Sequence, residues 1–247
     1  MLLEVCVNSF QSAIAAELGG ADRVELCDNI IEGGTTPSIG LVSSVRKHLS
    51  IAVHVLIRPR GGDFLYNKNE IEIIKTDISA LKNLGVDGFV FGCLTFDGSI
   101  DKSVCSQLIE MCYPKKTTFH RAFDMANNAS LALDDINKIG FDYLLTSGQK
   151  QTALMGVDLI SYLIKTNKGN CKIMPGSGIN EDNIAYIAQK TGADVFHVSL
   201  RKTIESEMKY RKKGVTMGKL SDKEEYEHQI TDENRVRKVV EILKQIK

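Results

Sequence analysis

The 247-residue sequence has no excess of charge of either sign, because 31 Lys and Arg residues are matched by 31 Asp and Glu residues. Without a basic surplus, the composition gives no support for binding to nucleic acids or to anionic membrane surfaces. The sequence also lacks an apolar run long enough to span a bilayer, and it opens directly into a predicted strand instead of a signal peptide. We therefore expect a cytoplasmic protein.

Common metal and disulfide motifs are missing as well. The six cysteines form no CxxC pair, and the five histidines form no HxxxH or HExxH motif. A structural zinc knuckle is therefore not expected. In a cytoplasmic protein, six such cysteines are expected to be free thiols.

Strand-like and helix-like segments alternate along the whole chain. Apolar residues spaced three and four apart predict eight helices. The eight predicted strands are Leu2–Val7, Arg23–Asp28, Ala52–Arg58, Gly88–Leu94, Thr117–Phe123, Tyr143–Ser147, Lys172–Pro175 and Val195–Leu200. Eight strand–helix units in about 250 residues predict an α/β fold, a single-domain (β/α)8 TIM barrel over residues 1–247. A doubly wound open sheet is the alternative.

One long segment, at about residues 203–230 after the eighth strand, shows no regular pattern. We interpret it as a solvated surface excursion. The alternative is a lid over the barrel mouth, since long loops in compact domains are often functional.

The first two strands repeat a polar pattern. Glu4 and Cys6 alternate in one strand, and Glu25 and Cys27 alternate in the next. Alternate residues share a face, and the intervening apolar residues fit a face covered by helices, so these four side chains are expected to point into the barrel. Burying a carboxylate is costly unless it is paired. Arg58 is the predicted partner of Glu25 or Glu4.

The carboxyl ends of the other strands are also polar, and active sites of (β/α)8 barrels lie at this end. Glu25 and His120 are candidate general acids or bases, because burial and neighbouring charges can tune either group. The glycine-rich turn after the seventh strand exposes N–H groups, as anion sites do. The candidate ligand-binding or anion-binding residues are His54, Arg58, Arg60, Asp63, Arg121, Asp124, Gly176, Ser177, Gly178, Ser199 and Arg201. The alternative is a satisfied polar network without chemistry.

Cys6 and Cys27 are the candidate metal ligands. Neighbouring strands lie about 4.8 Å apart, so two thiols on one face can share a soft ion. Thiolate pairs favour Cu(I). The alternative is that both cysteines are small buried hydrophobic residues.

Several segments together resemble one known family. They are Glu4-Val5-Cys6, Gly20-Ala21-Asp22-Arg23-Val24-Glu25-Leu26-Cys27, Gly33-Gly34-Thr35-Thr36-Pro37-Ser38, Arg58-Pro59-Arg60-Gly61-Gly62-Asp63-Phe64, Phe119-His120-Arg121-Ala122-Phe123-Asp124 and Leu145-Thr146-Ser147-Gly148. With these motifs the chain resembles the CutC family of copper homeostasis proteins over essentially its whole length. Gln149 departs from the family pattern, in which another glycine is expected. The resemblance implies a (β/α)8 barrel, a cytoplasmic location, a homodimer or homotetramer, and Cu(I) bound by Cys6 and Cys27.

The sequence therefore leaves two main functions open. The first is copper homeostasis through Cu(I) binding. The second is an enzyme of unknown reaction that acts on a small anionic or phosphorylated metabolite, because a metal carrier does not need the charged residues around the barrel mouth. A non-catalytic binding or assembly module is a third interpretation. No nucleic-acid or membrane partner is expected.

Overall fold

Eight parallel strands alternate with eight α-helices in the computed structural model, which describes residues 1–217 and 224–246. The parallel strands are β1 (Leu2–Val7), β2 (Arg23–Leu26), β3 (Ala52–Leu56), β4 (Gly88–Phe91), β5 (Lys116–Phe119), β6 (Tyr143–Thr146), β7 (Lys172–Pro175) and β8 (Val195–Val198). The helices are α1 (Phe10–Leu18), α2 (Ile39–His48), α3 (Lys68–Lys82), α4 (Lys102–Cys112), α5 (Ala129–Ile139), α6 (Val157–Thr166), α7 (Ile184–Thr191) and α8 (Glu233–Gln245). None of these helices combines the length and apolar character needed to cross a membrane.

The strands form a nearly closed barrel. Each strand from β1 to β6 pairs in parallel with the next, and β8 pairs with β1. The two ends of this order, β7 and β8, lie side by side: a Cβ placed on Gly176 would be 3.2 Å from the Cβ of His197. This arrangement confirms the predicted (β/α)8 barrel.

The two faces of the sheet differ in chemistry. Leu3, Val5 and Val7 of β1 belong to the apolar core shared with the surrounding helices. The alternate residues Glu4 and Cys6 point into the barrel, as their contacts with other interior side chains show. The interior of the barrel is therefore polar, while the main hydrophobic core lies between the sheet and the helices.

Helix starts follow local capping chemistry. The Ser9 side chain accepts a hydrogen bond from the Ser12 N–H at the start of α1, and Asn67 and Glu70 form a capping box on α3. Such caps satisfy backbone donors that have no partner within the helix. They fix where each helix begins, and so how each preceding loop leaves the barrel mouth.

The fifth strand is shorter than the sequence pattern predicts. It ends at Phe119 rather than Phe123, and the chain continues as a 3-10 helix, Arg121–Met125. The cause is His120, whose Nδ1 accepts the Ala122 N–H at 3.3 Å and caps this turn. The strand end therefore curls over the barrel mouth.

The segment predicted to be irregular begins and ends in an antiparallel hairpin of β9 (Arg201–Glu205) and β10 (Glu227–Thr231). Across the hairpin, the Gln229 amide donates to the Thr203 hydroxyl at 2.6 Å. The exposed side chains of residues 207–217 fit a surface excursion. Residues 218–223 of the predicted segment lie outside the described part of the chain.

Candidate functional site

A cavity of about 370 Å³ opens at the carboxyl ends of the strands. It lies where (β/α)8 barrels place their active sites. Its lining residues are Cys6, Glu25, Cys27, Ile30, Glu32, Gly33, Gly34, Leu56, Arg58, Phe64, His120, Arg121, Asp124, Met125, Leu145 and His197. No described residue of the 203–230 segment is among them.

A pair of thiols forms one side of this cavity. The Sγ atoms of Cys6 and Cys27 are 3.5 Å apart. Strand register pairs Cys6 with Glu25, so the two sulfurs approach along a diagonal between β1 and β2. Leu56 and Val90 pack with Cys27, and the partly buried Cys6 packs against this cluster.

The surroundings of Cys6 disfavour its thiolate form. The interaction with Cys27, together with burial, raises the pKa of the Cys6 thiol well above its usual value. The Arg201 guanidinium lies close by, with Nη2 3.8 Å from the Cys6 Sγ. It provides a fixed positive charge beside the pair.

Glu4 forms the floor of the site and is fully buried. Its carboxylate accepts Arg23 Nε at 2.5 Å and His197 Nδ1 at 2.7 Å, and His54 Nδ1 lies 3.8 Å away. Burial alone would raise the pKa of Glu4, but these neighbours outweigh it and hold the pKa well below its usual value. The predicted pairing of Arg58 with Glu4 or Glu25 is therefore wrong, because Arg23, two positions before Glu25 on the same face of β2, occupies this role.

His197 and Glu25 lie between Glu4 and the thiols. His197 Nε2 is 3.7 Å from Glu25 Oε2, and the ligand atoms of Cys6, Glu25 and Cys27 all lie within 4.8 Å of one another. Burial raises the pKa of Glu25 well above its usual range, although His197 opposes the shift. For His197, burial is outweighed by Glu25 and Glu4, which raise the pKa of the imidazole.

Arg58 also lines the cavity and is tied to the loop that follows Cys27. Its Nη1 donates to the carbonyls of Glu32 and Gly34, and its Nη2 donates to the carbonyl of Gly62, each at 2.7 Å. The strand β3 ends at Leu56, so Arg58 lies beyond the sheet and reaches the loop that follows β2. It fastens two loops together at the mouth.

His120, Arg121 and Asp124 come from the turn after β5. Arg121 Nε donates to Asp124 at 2.7 Å, and Arg121 Nη2 donates to the Ser147 hydroxyl at 2.8 Å. Asp124 also accepts the Gln149 N–H at 3.1 Å. These contacts join the ends of β5 and β6 into a rigid rim.

Gln149, the departure from the family pattern, has a left-handed φ of 55°. This region favours glycine. The glutamine amide compensates by donating to the Phe123 carbonyl at 3.2 Å and to the Ala126 carbonyl at 2.8 Å. The turn keeps its shape without the glycine.

Several predicted site residues lie outside the cavity lining. His54 is beneath it beside Glu4, and Arg60 is paired with Asp63 and Glu70 on the outside of the mouth. Arg201 lies beside Cys6. The remaining candidates lie on the loops after β7 and β8 and contact residues near them. Gly176 packs against Leu145 and His197, and the Ser177 hydroxyl donates to the Gln151 carbonyl. The Gly178 carbonyl accepts the Asn183 amide, and the Ser199 carbonyl accepts the Thr231 hydroxyl. The structure does not bring this glycine turn together with Arg58 and Arg60.

Two interior residues were not among the predicted site residues. Arg23 alternates with Glu25 and Cys27, and His197 alternates with Ser199. The period of two that identified the other interior side chains would have found both. His197 is the more informative, because it joins Glu4 to the thiol end of the cavity.

Known proteins resemble this chain along most of its length. A model of the CutC family matches residues 1–202. The human "Copper homeostasis protein cutC homolog" is 49% identical over 99% of this chain and 90% of its own length. A CutC family protein of Bacteroides fragilis is 47% identical over 97% of this chain and 96% of its own.

Structure gives the same answer. The crystal structure of CutC from Streptococcus agalactiae superimposes with a TM-score of 0.77 at 32% identity, and the match covers 81% of this chain and 98% of that one. The motifs at the barrel mouth, the family model and these relatives agree. The chain therefore belongs to the CutC family.

Proposed function

We propose that this protein serves copper homeostasis by binding Cu(I) between Cys6 and Cys27. The observation that carries this proposal is the 3.5 Å separation of the two sulfurs at one side of the cavity, where Leu56 and Val90 pack with Cys27. The human relative that bears the name of a copper homeostasis protein supports the same function.

The thiol pair fits a soft metal ion. Metal–sulfur bonds of about 2.3 Å, as zinc forms with cysteine, are long enough to bridge this separation. Thiolate ligands in apolar surroundings select Cu(I) over hard ions that retain water. Bound Cu(I) would supply two sulfur bonds in place of the weak thiol contact.

Binding must release protons, because only thiolates are good ligands. The raised pKa of Cys6 means that apparent Cu(I) affinity falls as the pH falls. The cationic His197 and Arg201 stabilise the thiolate charge that develops. The protein thus supplies the counter-charge for a deprotonated pair.

Anaerobic competition for Cu(I) against a coloured chelator tests the proposal. Wild type should bind one equivalent, and Cys6→Ser/Cys27→Ser should bind none. The matched control is Cys112→Ser/Cys171→Ser, which also removes two buried thiols but outside the cavity. Equal affinity of the Cys6→Ser/Cys27→Ser variant and wild type would refute the proposal.

A carboxyl oxygen of Glu25 lies within 4.8 Å of both sulfurs, but burial raises its pKa and so disfavours the carboxylate form that would bind a metal. We therefore expect Glu25→Gln to change the Cu(I) dissociation constant by less than about threefold, well under the tenfold that corresponds to 1.4 kcal/mol. A loss larger than tenfold would instead make the carboxylate a ligand. Titration of this variant beside wild type decides between a two-sulfur site and a mixed site.

We further propose that the protein acts in the cytoplasm as a homodimer or homotetramer. All six cysteines are free thiols, which fits a reducing compartment. Exposed apolar side chains on the outer helices, among them Leu131, Tyr162 and Tyr186, offer surface for self-association. Light scattering on the purified protein tests the oligomeric state, and fractionation of cells tests the cytoplasmic location.

A further inference from the structure

One part of the cavity mouth carries a buried positive charge without a carboxylate partner among the described residues. Arg58 is only 5% exposed, and the hydrogen bonds described for it go to three backbone carbonyls. No ion pair among the described residues includes it, and its Nε is buried without a partner. A buried charge that lacks a counter-ion is costly, so this site favours an anion.

His120 adds a neutral hydrogen-bond donor beside Arg58. Its Nδ1 accepts the Ala122 N–H at 3.3 Å, so the proton of the neutral ring lies on Nε2. That Nε2 is buried and has no hydrogen-bond partner among the described residues. Burial, reinforced by Arg58, lowers the pKa of His120 to about 3, so the ring stays neutral. Buried donors are rarely left without an acceptor in folded proteins.

Arg121 completes a cluster of three donors in this part of the mouth. Its side chain is 42% exposed and lines the cavity, and its Nε and Nη2 are held by Asp124 and Ser147. Asp124 is itself saturated, since it also accepts the Thr146 hydroxyl and the N–H groups of Ser147 and Gln149. Its charge therefore opposes an incoming anion only weakly.

The other carboxyl groups of the cavity leave room for a negative ligand. Glu25 lies beside the two thiols and faces His197, whose Nε2 is 3.7 Å from its carboxyl group. Glu32 lies at the exposed rim, where its carboxylate accepts the Asn29 amide at 3.0 Å. The rest of the lining is largely apolar and includes Ile30, Leu56, Phe64, Met125 and Leu145.

We infer that the cavity binds a small organic anion with an apolar body, and that Arg58, His120 and Arg121 receive its carboxylate or phosphate group. The volume of the whole cavity, about 370 Å³, lies in the range of small-molecule sites. The apolar wall excludes water from the bound molecule and strengthens the charged contacts. The proposed contacts use neither thiol, so they do not depend on the copper proposal.

Calorimetry on the reduced, metal-free protein tests this inference with four probes. Phenyl phosphate and benzoate each combine an anionic group with an apolar ring, inorganic phosphate lacks the ring, and benzyl alcohol lacks the charge. We expect saturable one-to-one binding of phenyl phosphate or benzoate, and at least tenfold weaker binding of the other two. Whichever anion binds more tightly identifies the phosphate or the carboxylate as the preferred group.

Variants locate the binding site. His120→Phe keeps a ring but removes the Nε2 donor, and Arg121→Gln removes a charge from a partly exposed side chain. Each should weaken binding about tenfold, the effect of losing a hydrogen bond to a charged group. Arg60→Gln is the matched control, because Arg60 is also about one-third exposed and paired with a carboxylate but lies outside the cavity. It should change the dissociation constant less than twofold.

Arg58→Met is left out of the experiment, because Arg58 fastens two loops and its loss removes three hydrogen bonds from the mouth. Circular dichroism confirms the fold of the two variants actually used. The inference is overturned if neither aromatic anion binds at millimolar concentration, or if His120→Phe and Arg121→Gln bind as wild type does. Cys6→Ser/Cys27→Ser should retain anion binding, so a failed copper site and a failed anion site give different results.

Discussion

Mild acidification should destabilise the metal-free protein through His54, a histidine buried in the floor of the site. Its side chain is 2% exposed, and its Nδ1 has no hydrogen-bond partner among the described residues. Burial lowers the pKa of His54 from 6.5 to about 4, although Glu4 opposes the shift. Between these values the unfolded chain takes up a proton that the folded protein does not, so the free energy of unfolding decreases as the pH falls.

The size of the effect follows from a proton count in the window from about pH 6 to pH 4.5. His54 and His120, whose folded pKa values are lowered to about 4 and about 3, each give the unfolded state one extra proton. Glu25, whose pKa is raised, acts in the opposite direction, because the folded state holds its proton more tightly than the unfolded state does. His197, with a raised pKa, is protonated in both states at this pH. Each proton of difference between the two states corresponds to about 1.4 kcal/mol per pH unit.

Urea unfolding followed by circular dichroism at several pH values in this window measures the slope. His54→Leu removes one of the protons bound by the unfolded state, so its slope should be about 1.4 kcal/mol per pH unit smaller than that of wild type. Glu25→Gln removes the opposing contribution, so its slope should be steeper than that of wild type. Each substitution also changes the free energy of unfolding through lost packing, by an amount that does not depend on pH. Comparing slopes removes that amount. A His54→Leu slope equal to that of wild type would refute the reasoning.

Two further predictions concern stability at neutral pH, measured by the same unfolding assay. Arg23→Met leaves the buried Glu4 carboxylate without its guanidinium and should lower the free energy of unfolding by about 3–5 kcal/mol. Adding Glu4→Gln should recover much of this loss. If the losses of the two single variants simply add in the double variant, the pairing is contradicted. Gln149→Gly relieves a left-handed φ, a gain of about 1 kcal/mol, but loses hydrogen bonds to the Phe123 and Ala126 carbonyls that contribute about 1 kcal/mol each. The net loss should be about 1 kcal/mol, and a more stable variant would show that those two bonds contribute little.

The inward face of β1 and β2 was predictable because a strand has a period of two. That rule placed Glu4, Cys6, Glu25 and Cys27 inside the barrel without knowledge of the fold. The contact between the sulfurs was not predictable in the same way. It depends on the register that sets Cys6 opposite Glu25, and register is a property of strand pairing.

The partner of Glu4 was mispredicted for a related reason. Arg58 is buried, but it follows the end of β3. Beyond the end of a strand, the alternation of side chains no longer determines which way a residue points. Arg23 lies within β2 and does obey the alternation. The early end of β5 at Phe119 was also not predictable from the alternation. It depends on the His120 ring, which accepts a hydrogen bond from the backbone two residues further along the chain.

The Glu4 carboxylate at the floor and the polar groups at the mouth differ in how far their hydrogen bonds are satisfied. At the floor, the Glu4 carboxylate is paired with Arg23 and His197, and the Arg23 guanidinium lies over the Tyr143 ring at 4.1 Å. Glu4 is fully buried and does not line the cavity. The thiols have only weak contacts, with each other, with the Val7 carbonyl and with Arg201. At the mouth, Arg58 and His120 line the cavity and keep buried nitrogens without acceptors. Unmet polar groups in a folded interior cost stability, so the unmet groups that line the cavity are those whose cost a bound ligand can offset.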